Sequence, residues 1–258
     1  MIISRTPYRV SFFGGGTDYP DWYLRHGGQV LSTTIDKYIY ITCRYLPPFF
    51  DHKIRLAYSR VETCQSVEEL NHPAVKEILK YFQITNGLEI HYDGDLPARS
   101  GMGSSSAFSV GLINALYRLR GEEVDSHKLA LDAIHVEQDL IGESVGSQDQ
   151  VNAAYGGFNH IEFSQSGSIV VNPVDTTPER LILLSQNLML FYTGIVRTAE
   201  TVSVTYATNT EQNSTQLEAI NKITNEAIDV VTSNKEIDQF GELMHQSWLE
   251  KKKLSSLV

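Results

Sequence analysis

One stretch constrains this chain more than any other: LPARSGMGSSSAFSVGLINAL, Leu96 to Leu116. Its first half is small residues and glycine around Arg99, and its second half is apolar at helical spacing. A glycine-rich turn must therefore feed directly into a helix start. Such a junction turns backbone N–H groups and the positive end of the helix dipole toward whatever lies in front of it, an arrangement suited to phosphate. The familiar phosphate loop, G-x-x-x-x-G-K-[ST], carries a lysine after its second glycine, whereas here Gly103 is followed by Ser104. If phosphate is held at this turn, its countercharge must come from another part of the chain.

Around this junction the first hundred residues read as strands, over 8–13, 30–34, 38–45 and 88–92, where β-branched and aromatic residues lie between Gly, Pro and Asp punctuation. Pro73 to Phe82 interrupts them with helical periodicity. Two helices follow, Ser104 to Leu119 and Ser126 to Ile141, the second opened by a capping serine. Segments 156–163 and 168–174 form a hairpin turning near Ser166 and Gly167. From Leu181 the composition changes to one strand candidate, 188–193, followed by helical sequence, so a domain boundary is expected near residue 180. A lone strand leaves backbone groups unpaired, which leads us to expect either a small helical second domain or a chain that stops early.

The 258 residues are enough for a substantial core, in one large domain or two modest ones. A formal charge of −10 argues against a nucleic-acid or membrane-surface partner, while leaving room for a local anion pocket. The two cysteines, Cys43 and Cys64, have no metal or disulfide spacing, and no apolar run approaches the length of a bilayer span. We expect a cytoplasmic protein.

Three segments carry candidate chemistry. In RVSFFGGGTDYPDWY a strand ends in three glycines and delivers Thr17 and Asp18. Asp18 either caps a short helix from Pro20 or accepts hydrogen bonds from a polyhydroxylated ligand, and Arg9 is either a strand-face ion pair or a fixed cation near the same place. The serines Ser104, Ser105 and Ser106 either cap the helix or offer hydroxyls to Mg²⁺, a hard cation that takes oxygen ligands. In HVEQDLIGESVGSQDQVNAAYGGFNHIEF, Glu137 at a helix end and Asp149 beyond a glycine-flexed loop suit a metal ligand and a proton acceptor, or else solvated and capping carboxylates. YLPPFF, 45–50, reads as a rigid aromatic turn near which an adenine ring could stack, and Lys251 to Lys253 as a charge run meeting a helix dipole.

Together these segments resemble the GHMP kinases. TPYRVSFFGGGTDY is similar to the galactokinase pattern, with Gly15 and Gly16 where galactokinases carry Glu-His; PARSGMGSSSA resembles P-x-x-x-G-[LM]-G-S-S-[AS]-A; GSQDQ resembles G-I-M-D-Q. Within that family the bacterial heptose 7-phosphate kinases look nearest. The resemblance implies an α/β (α+β) fold of two domains. The first, 1–180, would bind ATP and be like the second domain of ribosomal protein S5, with a left-handed β-α-β crossover; the second, 181–258, would be an incomplete ferredoxin-like domain.

It also implies that ATP is held by Pro97, Arg99, Ser100, Gly101, Met102, Gly103, Ser104, Ser105 and Ser106. Mg²⁺ would be served by Ser105 and Glu137, with Asp149 the catalytic base and Arg9 stabilising the transferred phosphoryl group. Gly15, Gly16, Thr17 and Asp18 would meet the sugar, at whose C1 hydroxyl transfer would occur. A 7-phosphate would need a cation, for which Arg44, Lys53, Arg55 and Arg197 are candidates. The partners implied are a small sugar or sugar phosphate, with no nucleic acid and no membrane, and pairing as a homodimer is left open. The family's glycine-rich third motif is absent, so we expect a fragment of a longer kinase. Other acceptors (fucose, galactose) and a non-catalytic sensor are the competing readings.

Overall fold

The computed structural model describes residues 1–85, 87–98, 100–194 and 213–254. Its architecture is mixed α/β, in two compact units that interleave along the chain instead of meeting near residue 180: residues 1–9, 35–143 and 149–156 form the first, and 10–34, 144–148 and 157–258 the second. The interleaving follows from two long strands, β1 (Ile2–Phe13) and β2 (Gly28–Tyr45), each of which contributes residues to both units.

In the first unit, β2 pairs antiparallel with β5 (Leu88–Gly94), Tyr45 opposite Leu88 and Ile39 opposite Gly94. β3 (Ile54–Ala57) runs parallel to β5 and antiparallel to β4 (Val61–Cys64). Alternate strand residues Ile39, Ile41, Cys43, Ile54, Leu56, Leu88 and Ile90 face one core with α2 (Pro73–Tyr81), α3 (Ser104–Leu119) and α4 (Ser126–Ile134). α3 is buried on most sides, and full burial of each Leu or Ile such as Leu112 or Ile113 contributes roughly 1.5–3 kcal/mol. It lies close against β1: the Ser4 hydroxyl donates to the Gly111 carbonyl at 2.8 Å, and a Cβ on Gly111 would meet the Thr6 hydroxyl at 2.7 Å. This contact sets where the start of α3 falls relative to Arg9. The cap of α4 is Asp125, which accepts from the Lys128 N–H at 2.7 Å, rather than Ser126.

The second unit holds the other half of β2, antiparallel to β6 (Phe158–Phe163), which pairs with β7 (Ile169–Pro173) through the expected hairpin. Phe13 and Leu31 pack with α6 (Pro178–Gln186), α7 (Ser214–Thr232) and α8 (Asp238–Leu254), where Phe240 meets Phe13 edge-on at 4.9 Å. The strand expected over 188–193 is not formed, and among the described residues no strand follows Pro173. With no neighbouring strand, an apolar run has no ladder in which to place its backbone groups.

Candidate active site

Arg9 lies late in β1, and its groups reach the glycine-rich turn and Asp149. Its backbone N–H donates to the Met102 carbonyl at 3.1 Å, and Nη1 to the Gly101 carbonyl at 2.9 Å. The guanidinium then grips Asp149 with two parallel bonds, Nε to Oδ1 and Nη2 to Oδ2, both 2.7 Å. A fork of this kind fixes direction as well as distance. Asp149 sits in the first turn of α5 (Gln148–Tyr155), and its carboxylate goes to Arg9 rather than capping the helix. Gly103, at φ +72°, is the residue from which α3 departs, and a Cβ there would stand 3.2 Å from Arg9 Cγ and 3.5 Å from Asp149 Oδ2. The left-handed conformation and the crowding both call for glycine.

Behind this pair lies Glu137, only 1% exposed. The helix containing it leaves α geometry at His135–Leu140 for a π turn, closed by the Ile141 N–H donating to the Val136 carbonyl at 2.9 Å. Single π turns are often found at functional positions. Glu137 Oε2 accepts from the Ser106 hydroxyl at 2.8 Å and from Gln150 Nε2 at 2.5 Å. Oε1 is buried and has no donor, the nearby Ser109 hydroxyl donating to the Ser105 carbonyl at 3.3 Å instead. Burial outweighs the hydrogen bonds and pushes this carboxyl up to about 7. A sequestered carboxylate oxygen lacking a partner suits a hard cation, so the residues present fit Mg²⁺. Among the described residues there is no cluster of three or more His, Cys, Asp or Glu side chains to hold a metal unaided. An ion here would share its coordination with ligand oxygens.

The serine brought to Glu137 is thus Ser106; Ser105 is exposed. Three consecutive serines on a helix point about 100° apart, and only packing decides which faces inward. Gln150 and Ser106 were missed as partners of Glu137, although the Q of GSQDQ was visible. Pro97, Ser100, Gly101, Met102, Gly103 and Ser104 line the turn into α3, while Arg99 lies outside the described residues, as does Arg197.

In the second unit, Thr17 and Asp18 close the three-glycine turn. The Thr17 hydroxyl donates to the Gly14 carbonyl at 2.8 Å and accepts from the Gln29 N–H at 3.1 Å. Asp18, buried, accepts from the Gly16 N–H at 2.9 Å and the Gln148 N–H at 3.3 Å. It does not cap α1 (Pro20–His26), whose N-cap is Tyr19. Gly15 and Gly16 stand beside it in the same turn.

Two of the basic residues considered for a second phosphate are already committed. Arg44 Nε and Arg55 Nη1 each donate to the buried Glu89 at 2.5 Å. Burial would raise that carboxyl, yet hydrogen bonds from His91, Arg44 and Arg55 hold it at about 2. The aromatic turn at 45–50 lines a cavity of about 450 Å³ with Lys53 and Gly87. That cavity adjoins the start of β5, whereas the glycine-rich turn follows its end at Gly94, about 20 Å away at 3.3 Å per residue. Rings nearer α3 are His72, stacked on Phe108 at 5.1 Å, and Tyr92, 5.5 Å from Phe108.

The glycine turn at a helix start, the arginine–carboxylate fork beside it and the buried carboxylate near both form the candidate site. Residues 69–157 of the chain match the GHMP kinases N terminal domain. The curated relatives that the chain matches are sugar kinases, which are ATP-dependent phosphotransferases. It is 28% identical over 271 aligned positions to the D-glycero-alpha-D-manno-heptose 7-phosphate kinase of Campylobacter jejuni, covering 100% of this chain and 79% of that protein. It is 27% identical to the bifunctional fucokinase/GDP-fucose pyrophosphorylase of Arabidopsis thaliana, covering 94% of this chain and 25% of that protein. Its fold is that of a D-glycero-D-manno-heptose 1-phosphate kinase from Bacteroides thetaiotaomicron, with a TM-score of 0.80, 23% identity, and coverage of 98% and 80% of the two chains. Among the described residues no helix is long and apolar enough to cross a membrane.

Proposed function

We propose that this chain transfers the γ-phosphate of ATP to a sugar hydroxyl, the acceptor being the anomeric C1 hydroxyl of D-glycero-D-manno-heptose 7-phosphate, in the making of a nucleotide-activated heptose. The observation that carries the reading is the Arg9–Asp149 fork set against Gly101 and Gly103 at the start of α3. The acceptor rests on the similarity to the Campylobacter jejuni heptose kinase along the whole chain. Two buried cysteines without a disulfide accord with a cytoplasmic setting.

Phosphoryl transfer is catalysed mainly by positioning and by charge stabilisation. The turn from Pro97 to Ser106 and the first N–H groups of α3 cradle the ATP phosphates. Asp149 accepts the proton of the attacking hydroxyl as the sugar oxygen bonds to the γ-phosphorus and the bond to ADP breaks. Its two oxygens are aimed by Arg9, and each keeps a lone pair for that hydroxyl. Arg9 also supplies positive charge beside the group in transit. Glu137 and a serine of the α3 start, Ser106 or Ser105, would hold Mg²⁺, which when bound neutralises phosphate charge. Gly15, Gly16, Thr17 and Asp18 form the sugar-binding turn, with Asp18 keeping it rigid through Gly16 and Gln148.

The test is ADP formation by this chain with Mg²⁺-ATP and a panel of heptose 7-phosphate, heptose, fucose and galactose. Turnover is expected on the heptose phosphate, and Asp149→Asn should lower kcat by about 10²–10⁴-fold while ATP still binds. Equal turnover with Asn at 149 refutes the base assignment. A preference for fucose would move the acceptor toward that of the Arabidopsis relative, and ATP binding without transfer would favour a sensor.

A further inference from the structure

The helix that carries Glu137 holds a second buried carboxylate, Asp132, which the phosphoryl-transfer chemistry does not use. It is only 6% exposed and lies in α4, just before the π turn. Its Oδ1 accepts from the Tyr81 hydroxyl of α2 at 3.0 Å and from Lys128 Nζ at 3.1 Å, and its Oδ2 from the Tyr117 hydroxyl of α3 at 2.6 Å. One carboxylate thus ties together three helices of the first unit.

Asp132 and Glu137 meet the same stripe of α3. Tyr117, which holds Asp132, and Ser106, which donates to Glu137 at 2.8 Å, are about three turns apart on that helix and about 20° out of line. On the helix of the carboxylates themselves the match is not automatic. Residues five apart in a regular α-helix point about 140° away from one another, so with Asp132 turned to α3 an unbroken helix would turn Glu137 away. The Ile141 N–H bond to the Val136 carbonyl is of the i→i+5 kind, and the π turn at His135–Leu140 takes in an extra residue that swings Glu137 back toward α3. Asp132 is the last polar side chain before that turn, since Ala133 and Ile134 follow it.

We infer that Asp132, held by Tyr117 and Tyr81, is a positioning residue: it fixes the rotation of the π turn and so aims Glu137 at the Mg²⁺ site beside Ser106. The inference rests on the reading of Glu137 as a metal-holding group and adds to it the residue that keeps its aim. Ser106 and Gln150 constrain Glu137 Oε2, but not how the helix is turned beneath it. Groups one step behind a metal ligand set its orientation, and their removal costs about 10- to 100-fold in metal affinity.

The test measures how much Mg²⁺ tightens ATP binding, by calorimetry with and without the ion, in the wild type and in Asp132→Ala, Asp132→Asn and Tyr117→Phe. Hydrogen exchange at the Ile141 amide and steady-state kinetics are read on the same proteins. Asp132→Ala should cut the Mg²⁺ effect by about tenfold or more, speed exchange at Ile141 and slow turnover at limiting Mg²⁺, while metal-free ATP binding stays unchanged. Asparagine can still accept from one tyrosine and donate to the other, so Asp132→Asn should recover most of the loss. Tyr117→Phe, which keeps the ring in the core, should lose about threefold. In a Glu137→Gln background Asp132→Ala should alter the Mg²⁺ effect no further, because the positioned group is gone.

A merely structural Asp132 would lower the melting temperature and leave the Mg²⁺ effect intact. That result, a loss undiminished in the Glu137→Gln background, or a wild type whose ATP binding ignores Mg²⁺ would each overturn the inference. Should the alanine variant fail to fold, Tyr117→Phe with and without Glu137→Gln decides in its place. An Asp132-dependent Mg²⁺ effect without phosphoryl transfer would leave the inference standing while the kinase reading falls. Transfer whose Mg²⁺ dependence is indifferent to Asp132 does the reverse.

Discussion

Glu137→Gln offers a direct test of the buried carboxylate. In the metal-free protein, burial moves this carboxyl from 4.5 to about 7. Between those values the folded protein holds the proton more tightly than the unfolded chain does. Stability from this group is therefore complete below pH 4.5 and is lost as pH rises through about 7. At about 1.4 kcal/mol per tenfold, the loss reaches about 3 kcal/mol by pH 8. Glutamine cannot ionise, so the unfolding free energy of the variant minus that of the wild type should grow by about this amount from pH 5 to pH 8. Urea unfolding followed by circular dichroism at several pH values measures it. His72 and His160, whose imidazoles burial pushes down, are common to both proteins and cancel in the difference. With Mg²⁺-ATP present, the wild type should regain its stability at pH 8 and the variant should not. A difference that stays flat from pH 5 to 8 would refute the assignment of a strained, buried charge to Glu137.

Two further outcomes follow from the same geometry. Ser106→Ala should weaken Mg²⁺ dependence of nucleotide use about tenfold or more, while Ser105→Ala, at an exposed position, should have the smaller effect; magnesium titrations of the initial rate distinguish them, and the opposite order would return the metal role to Ser105. Gly103→Ala should lower stability by about 1–2 kcal/mol for its left-handed backbone and raise KM for ATP by displacing the Arg9 side chain, read from thermal melts and kinetics, with an unchanged KM as the contrary result.

Local pattern made much of the fold legible. The helix at 104–119 was readable because its apolar spacing and glycine entry are self-contained, and the hairpin at 158–173 because its turn residues are. β2 was read as two strands because the charged pair Asp36 and Lys37 interrupts the apolar pattern. It is one strand, whose first part pairs with β6 and whose last part with β5. The interruption marks the change of partner, which no local window contains. At the site, Arg9, Glu137 and Asp149 stood out by residue type and spacing, and two of them meet as a pair. The π turn under Glu137 was hidden because an inserted residue hardly disturbs an apolar stripe. The choice between Ser105 and Ser106 depends on packing across more than thirty residues of chain.

The threading of β1 through both units also governs how the polypeptide can be made. Every residue of the first unit has been synthesised once position 156 leaves the ribosome, so its core can close early. Phe13 and Leu31 belong to a core completed only by helices 214–232 and 238–254, some two hundred positions later. Until those helices emerge, two large apolar side chains near the start of the nascent chain stay uncovered. Their wait makes the second unit the slow, aggregation-exposed half of biogenesis, and the place where a chaperone would act.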